Sequence, residues 1–145
     1  MLQSDSHGFS LVELAIVLVV LGIVLAFAVP GVVSLTQGMQ LDSASHAVAG
    51  QLQLARSKAM VTGNDQTLHF SADSVGYDYH VHDGSGGIAA GWKFPNGITY
   101  ATTGFQSITM LREGRASTSA YIVLRDRRGD TDTVSVQTSG LVSVY

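Results

Sequence analysis

Apolar positions follow three different rules along this chain, and each rule predicts a different kind of element. From Phe9 to Val29 almost every position is apolar, and from Leu14 to Val29 the run is unbroken. Those 21 residues make roughly 31 Å of helix at about 1.5 Å per residue, enough to cross a bilayer core. Pro30-Gly31 follows, where a missing backbone donor and a clash with the preceding turn are expected to kink or loosen the helix. A second rule then holds to about Val61. Leu41, Ala44, Val48, Leu52, Ala55 and Ala59 recur at spacings of three and four, which predicts one apolar helix face. Asp42, Gln51, Arg56 and Lys58 lie largely off that face, and Gly63-Asn64 is a stop signal. The alanine-rich stripe suits a sheet packed close against it, while the stretch near Gly38 and Gln40 is read as facing neighbouring subunits.

From Gln66 onward the period is two. Candidate strands are Gln66–Phe70, Tyr77–Val81, Gly91–Phe94, Ile98–Ala101, Ser107–Leu111, Tyr121–Arg125, Thr133–Gln137 and Leu141–Tyr145. Turn signals separate them at Asp83-Gly84-Ser85-Gly86-Gly87, Pro95-Asn96-Gly97, Glu113-Gly114-Arg115, Arg128-Gly129-Asp130 and Ser139-Gly140. One long helix followed by short strands with tight turns reads as α+β, with an antiparallel sheet packed on the helix.

Glu13 is the only ionisable side chain between Phe9 and Val29. A charge inside a membrane costs roughly 2.5–3.5 kcal/mol even on lenient insertion scales, so its default reading is functional. The net charge of −3 and the eight acidic against six basic residues after Gly63 give no steering toward phosphate. Cysteine is absent, which excludes disulfides and thiolate metal sites.

Gly8-Phe9-Ser10-Leu11-Val12-Glu13 and the apolar run after it resemble the N-terminus of type IV prepilins and type II secretion pseudopilins. The resemblance implies a polar leader ending at Gly8, cut there by a prepilin peptidase, and an N-methylated Phe9. It also implies that Glu13 is the glutamate at the fifth mature position and that Pro30 is the proline closing the hydrophobic stretch. The leader Met1-Leu2-Gln3-Ser4-Asp5-Ser6-His7-Gly8 departs from the pattern in carrying no Lys or Arg, which weakens the orientation signal. An ordinary secretory signal would need a basic start and a small-residue cleavage site after the apolar run. Once cut, the Phe9 amine lies one turn from Glu13. The two can pair within a chain or between helices offset along a bundle, and such pairs are strong in apolar surroundings.

Leu54-Ala55-Arg56-Ser57-Lys58-Ala59-Met60, Gly91-Trp92, Gly114-Arg115-Ala116 and a short last strand after Ser139-Gly140 extend the resemblance. In this order they resemble the minor pseudopilin H and FimT-like subfamily. That implies a type IV pilin-like α+β fold: leader 1–8, membrane and filament-core helix 9–29, amphipathic helix 30–63, and β-rich periplasmic head 64–145. DNA-binding FimT-like proteins carry an arginine-bearing motif near the C-terminus. This chain has no basic residue after Arg128.

His80-x-His82-Asp83, with His69 as a third ligand, has strand spacing for a metal, but solvent-facing strand histidines are the commoner case and no metal is expected. Asp126, Asp130 and Asp132 offer oxygens to calcium, yet Arg127 and Arg128 stand among them, so an ion-paired turn is expected instead. Arg125, Arg127 and Arg128 are the candidate DNA contacts, offset by those same aspartates. Arg128-Gly129-Asp130 is read as a turn, not as an adhesion tripeptide. No nucleophile elbow, phosphate loop or paired-carboxylate motif is present, so neither enzymatic activity nor a cofactor is expected.

The expected function is a minor pseudopilin, a structural subunit at the tip or initiation point of a type II secretion pseudopilus. Its expected partners are other pseudopilins or pilins, the prepilin peptidase and the inner-membrane assembly platform, with the anchor in the inner membrane and the head in the periplasm. The alternative is a FimT-like minor type IV pilin in pilus assembly or DNA uptake. A nucleic-acid partner is not expected.

Overall fold

The computed structural model describes residues 9–70, 76–82, 87–101 and 107–145, with the backbone alone over 29–35. The leader with Gly8, the side chain of Pro30, and Asp83-Gly84-Ser85-Gly86 of one expected turn lie outside the described residues. The chain divides into two compact units, Met1–Thr36 and Gln37–Tyr145.

One helix, α1 (Leu11–Thr62), begins in the first unit and ends in the second. Its start is set by Ser10, whose hydroxyl oxygen accepts the Glu13 N–H at 3.2 Å and whose carbonyl accepts the Leu14 N–H at 3.2 Å. Ser10 is thus an N-cap, and Ser10-Leu11-Val12-Glu13 has capping-box spacing. The sequence expects two helical pieces meeting at Pro30-Gly31, but the helix continues through both as one element. Proline forfeits a backbone bond there without ending the element. The helix stops where expected, with the Gly63 N–H donating to Ala59 at 2.9 Å.

Within the second unit the predicted stripe is the buried one. Leu41, Ala44, Val48, Leu52, Ala55 and Ala59 are all in the core, joined by Ala49. Ser45 is buried there too, its hydroxyl directed at the Leu41 and Asp42 carbonyls at 3.1 and 3.0 Å and in contact with the Asp132 carboxylate. Gly38 and Gln40, read as facing neighbouring subunits, are half-buried against this unit.

The strands are β1 (Gln66–Phe70), β2 (Tyr79–His82), β3 (Ile88–Trp92), β4 (Thr99–Tyr100), β5 (Ser107–Met110), β6 (Ala120–Arg125), β7 (Thr131–Val136) and β8 (Val142–Val144). They form two four-stranded antiparallel sheets, ordered β3-β2-β1-β5 and β4-β6-β7-β8, where the sequence reading has a single sheet. Period-two alternation marks strands such as β5 and β6, but the partition depends on pairings distant in the chain: β1 with β5, and β4 with β6. β3 begins three residues before the expected Gly91, because Ala89-Ala90 carries a weak strand signal.

Leu68, Ile108 and Met110 of the first sheet and Ile122, Leu124, Val134 and Val136 of the second share one core with the helix stripe. An aromatic run ties the sheets together. Phe70 and Trp92 stack on Tyr79 at 6.2 and 5.3 Å, and Phe94 lies 5.4 Å from Tyr79 and 5.1 Å from Tyr100 of β4. The Tyr100 hydroxyl donates to the Asp78 carbonyl at 2.6 Å, and burial, aided by the Asp78 charge, pushes its pKa far above the ordinary value.

Two turns lock onto the helix end. Gly114 and Gly140 both have left-handed backbones, with φ of +79° and +80°. A Cβ on Gly140 would collide with the Gly114 carbonyl oxygen, which accepts the Arg56 Nε–H at 2.8 Å. Arg56, read from the sequence as lying off the core face, is therefore the helix's tie to both turns.

Candidate functional site

The N-terminal unit carries the first group of candidates. Leu11–Ala28 is an 18-residue segment long and apolar enough to cross a membrane, and none of it is buried by the rest of the chain. Phe9 is 82% exposed just ahead of it. Glu13 is exposed in the first helical turn, where a negative charge suits the helix dipole. The sequence reading misses the Ser10 cap, although its spacing from Glu13 is visible in the chain. Pro30 lies inside the helical backbone, 17 residues beyond Glu13.

The arginines lie on β6 and the turn after it, and each has different surroundings. Arg128 Nε bonds Asp126 at 3.0 Å and its Nη2 bonds Asp130 at 2.7 Å. The buried Asp126 carboxylate also accepts the Arg128 and Asp130 backbone N–H groups, both at 2.9 Å. Burial alone would raise its pKa and is the largest single influence. The Arg128 side chain and those backbone donors together outweigh it, so the carboxyl stays below its ordinary range. Arg127 lies across Gly97, where an added Cβ would stand 2.6 Å from its Nε. Arg125 ends β6 exposed. Asp132, the third calcium candidate, contacts Ser45 instead of joining Asp126 and Asp130. The turn is ion-paired, as its alternating charges suggest.

The histidines depart furthest from expectation. His69 of β1 stands opposite His80 of β2, and His82 follows two residues on. All three project from the sheet face opposite Leu68, Phe70 and Tyr79, which belong to the core. They do not point freely into solvent: His80 is only 3% exposed, and His69 and His82 are half-buried. His69 stacks on His80 at 5.2 Å, while His82 meets both rings edge-on at 4.7 and 4.9 Å. Cross-strand register brings His69 to His80 and His82, the grouping the sequence reading considered, but the rings are buried or half-buried where solvent-facing histidines were expected. Asp83, the fourth member of that motif, lies outside the described residues.

Residues 3–29 match the prokaryotic N-terminal methylation motif, and residues 44–140 match type II transport protein GspH. No curated protein matches the chain. Two crystal forms of the type IV minor pilin FimU from Pseudomonas aeruginosa (strain PAO1) share its fold, with TM-scores of 0.61 and 0.57 at 20% identity. The likeness covers 77% and 72% of this chain and 92% of the FimU chain in each case. With the pilin fold in place and a match across more than half its length, the chain belongs to the GspH family of type II transport proteins.

Proposed function

We propose that this GspH-family subunit is a minor pseudopilin of a type II secretion pseudopilus, acting at its tip or its initiation. The prepilin peptidase removes residues 1–8 by cutting after Gly8, and Phe9 becomes the methylated N-terminus. The segment 9–29 anchors the subunit in the inner membrane and later packs in the filament core. The part from 30 to 63 carries the head's helix face, and 64–145 is the β-rich head in the periplasm. Its role is structural, without catalysis.

One observation carries this reading: Glu13 sits in the first helical turn, within the apolar segment Leu11–Ala28 that the rest of the chain leaves unburied. In lipid or among like helices its carboxylate needs a cation, and the Phe9 amine of the same or a neighbouring subunit supplies one. Breaking such a buried pair costs about 3–5 kcal/mol, so the pair sets axial register between subunits. Pro30 closes the stretch that takes part. The assembly platform would receive the subunit once it is processed.

The test has two parts. Mass spectrometry of the native protein is expected to find a methylated Phe9 terminus, and Gly8→Leu is expected to leave the precursor uncut. Glu13→Ala is expected to be cut and inserted normally while its crosslinking to partner subunits falls sharply. An intact Met1 terminus in cells with active peptidase, or undiminished crosslinking of Glu13→Ala, contradicts the reading.

The rival is a FimT-like minor pilin in type IV pilus assembly or DNA uptake. The fold is common to both, so it does not separate them. The ion pairs that hold Arg128 weigh against phosphate binding at this turn.

A further inference from the structure

The three-histidine cluster has no part in the proposed function, and its geometry is that of a ligand set. A tetrahedral zinc site has metal–nitrogen bonds of about 2.0–2.1 Å, which puts its ligand nitrogens about 3.3 Å apart. His80 Nε2 and His82 Nε2 stand 3.1 Å apart. One ring nitrogen from each of His69, His80 and His82 can be chosen so that all three lie within 4.8 Å of one another.

The surroundings suit a fixed site better than a chance meeting of surface side chains. β2 lies between β1 and β3, so the backbones carrying all three rings are held by ladder hydrogen bonds. Ser107 stands opposite His69, and Thr67 and Thr109 share a hydroxyl–hydroxyl bond of 2.9 Å beside it. On the other flank Gly91 stands opposite His80, and the Tyr77 ring lies over Gly91 so closely that any side chain there would collide with it. Tyr77 thus walls the buried end, and hydroxyl groups line the open one.

We propose that His69, His80 and His82 bind one divalent transition-metal ion, zinc above all, with a water in the fourth position. All three donors are imidazoles, which suits zinc and its borderline neighbours; magnesium and calcium prefer oxygen ligands. Without the ion, one of the two facing nitrogens carries a proton and donates to the other. On binding, the metal takes that proton's place on Nε2 and the displaced proton moves through solvent to the same ring's Nδ1, so both imidazoles bind as neutral ligands. The ion clamps β1 to β2 beside the β2–β3 connection and so stabilises the head.

The experiment is a calorimetric titration of zinc chloride into the untagged full-length chain in detergent, with Co2+ absorption as the coordination probe. Expected is one equivalent bound with a Kd of about 1 µM or tighter, a cobalt spectrum of tetrahedral type, and a raised unfolding temperature. His69→Gln and His82→Gln, both at half-buried positions, are each expected to weaken binding at least about tenfold. His46→Gln, on the exposed helix surface beside Asp42, is expected to change nothing. Failure of the wild-type chain to bind one equivalent overturns the site, whatever the variants do. So does binding that survives His82→Gln or disappears with His46→Gln. Circular dichroism of each variant confirms that a loss is not a loss of fold.

Discussion

Gly140 has no room for a side chain, and its backbone would resist one. Its φ is +80°, and an added Cβ would strike the Gly114 carbonyl that Arg56 holds. Gly129 has the same kind of backbone, at φ +95°, but open space around it. Gly129→Ala should therefore cost only the left-handed strain, about 1–2 kcal/mol, whereas Gly140→Ala should cost roughly 2–4 kcal/mol through strain and clash together. Denaturant unfolding of the two variants measures the difference, and equal midpoints would contradict the collision. Asp126 makes a second prediction at this scale. Its folded pKa lies below the ordinary 3.8, so its contribution to stability is complete above that value. The contribution is lost as pH falls through 3.8 and then through the lower folded value. Asp126→Asn should be less stable than wild type at neutral pH, and the gap in Tm should close as pH drops below about 4. A gap that stays constant down that range would refute the linkage. The glycines at these turns are legible in the sequence, since Glu113-Gly114-Arg115 and Ser139-Gly140 both announce turns. That the two turns meet beneath Arg56 is not legible, because nothing local encodes a contact between segments 26 residues apart.

At the scale of elements, α1 is the most legible part of the fold. Its stripe repeats with the helical period and appears in the core residue for residue, with Ser45 the polar exception. The stripe separates two neighbouring leucines, Leu52 fully buried and Leu54 59% exposed. Leu52→Ala should cost about 2–5 kcal/mol by opening a cavity, and Leu54→Ala should fall within about 0.5 kcal/mol of wild type. Similar losses at both positions in thermal unfolding would mean that the stripe is not what holds the helix to the sheets. Strands are legible as alternating runs, and all eight occur near their predicted places. Their ends are less so: β3 opens on Ile88-Ala89-Ala90, where small residues hide the alternation. The division into two sheets and the meeting of His69 with His80 and His82 share one cause. Both arise from register between strands, and register belongs to pairs of segments and not to either alone.

At the scale of the whole molecule, the acidic balance and the engaged Arg128 predict little affinity for nucleic acid. Gel-shift titration of the full chain in detergent should show no complex with duplex DNA at physiological salt. Micromolar, salt-sensitive binding that disappears when Arg125, Arg127 and Arg128 are replaced would favour the DNA-uptake reading instead. The fully exposed segment Leu11–Ala28 has a further consequence. An apolar helix this long cannot pass through water on its way from lipid to filament, since each exposed methylene would cost about 0.8 kcal/mol. The transfer must be a direct hand-over from one oily solvent to another, lipid chains on one side and sister helices on the other. The two solvents resemble each other, so most of the transfer energy cancels, and on the proposed pairing a single carboxylate finding its amine would be enough to tip the direction.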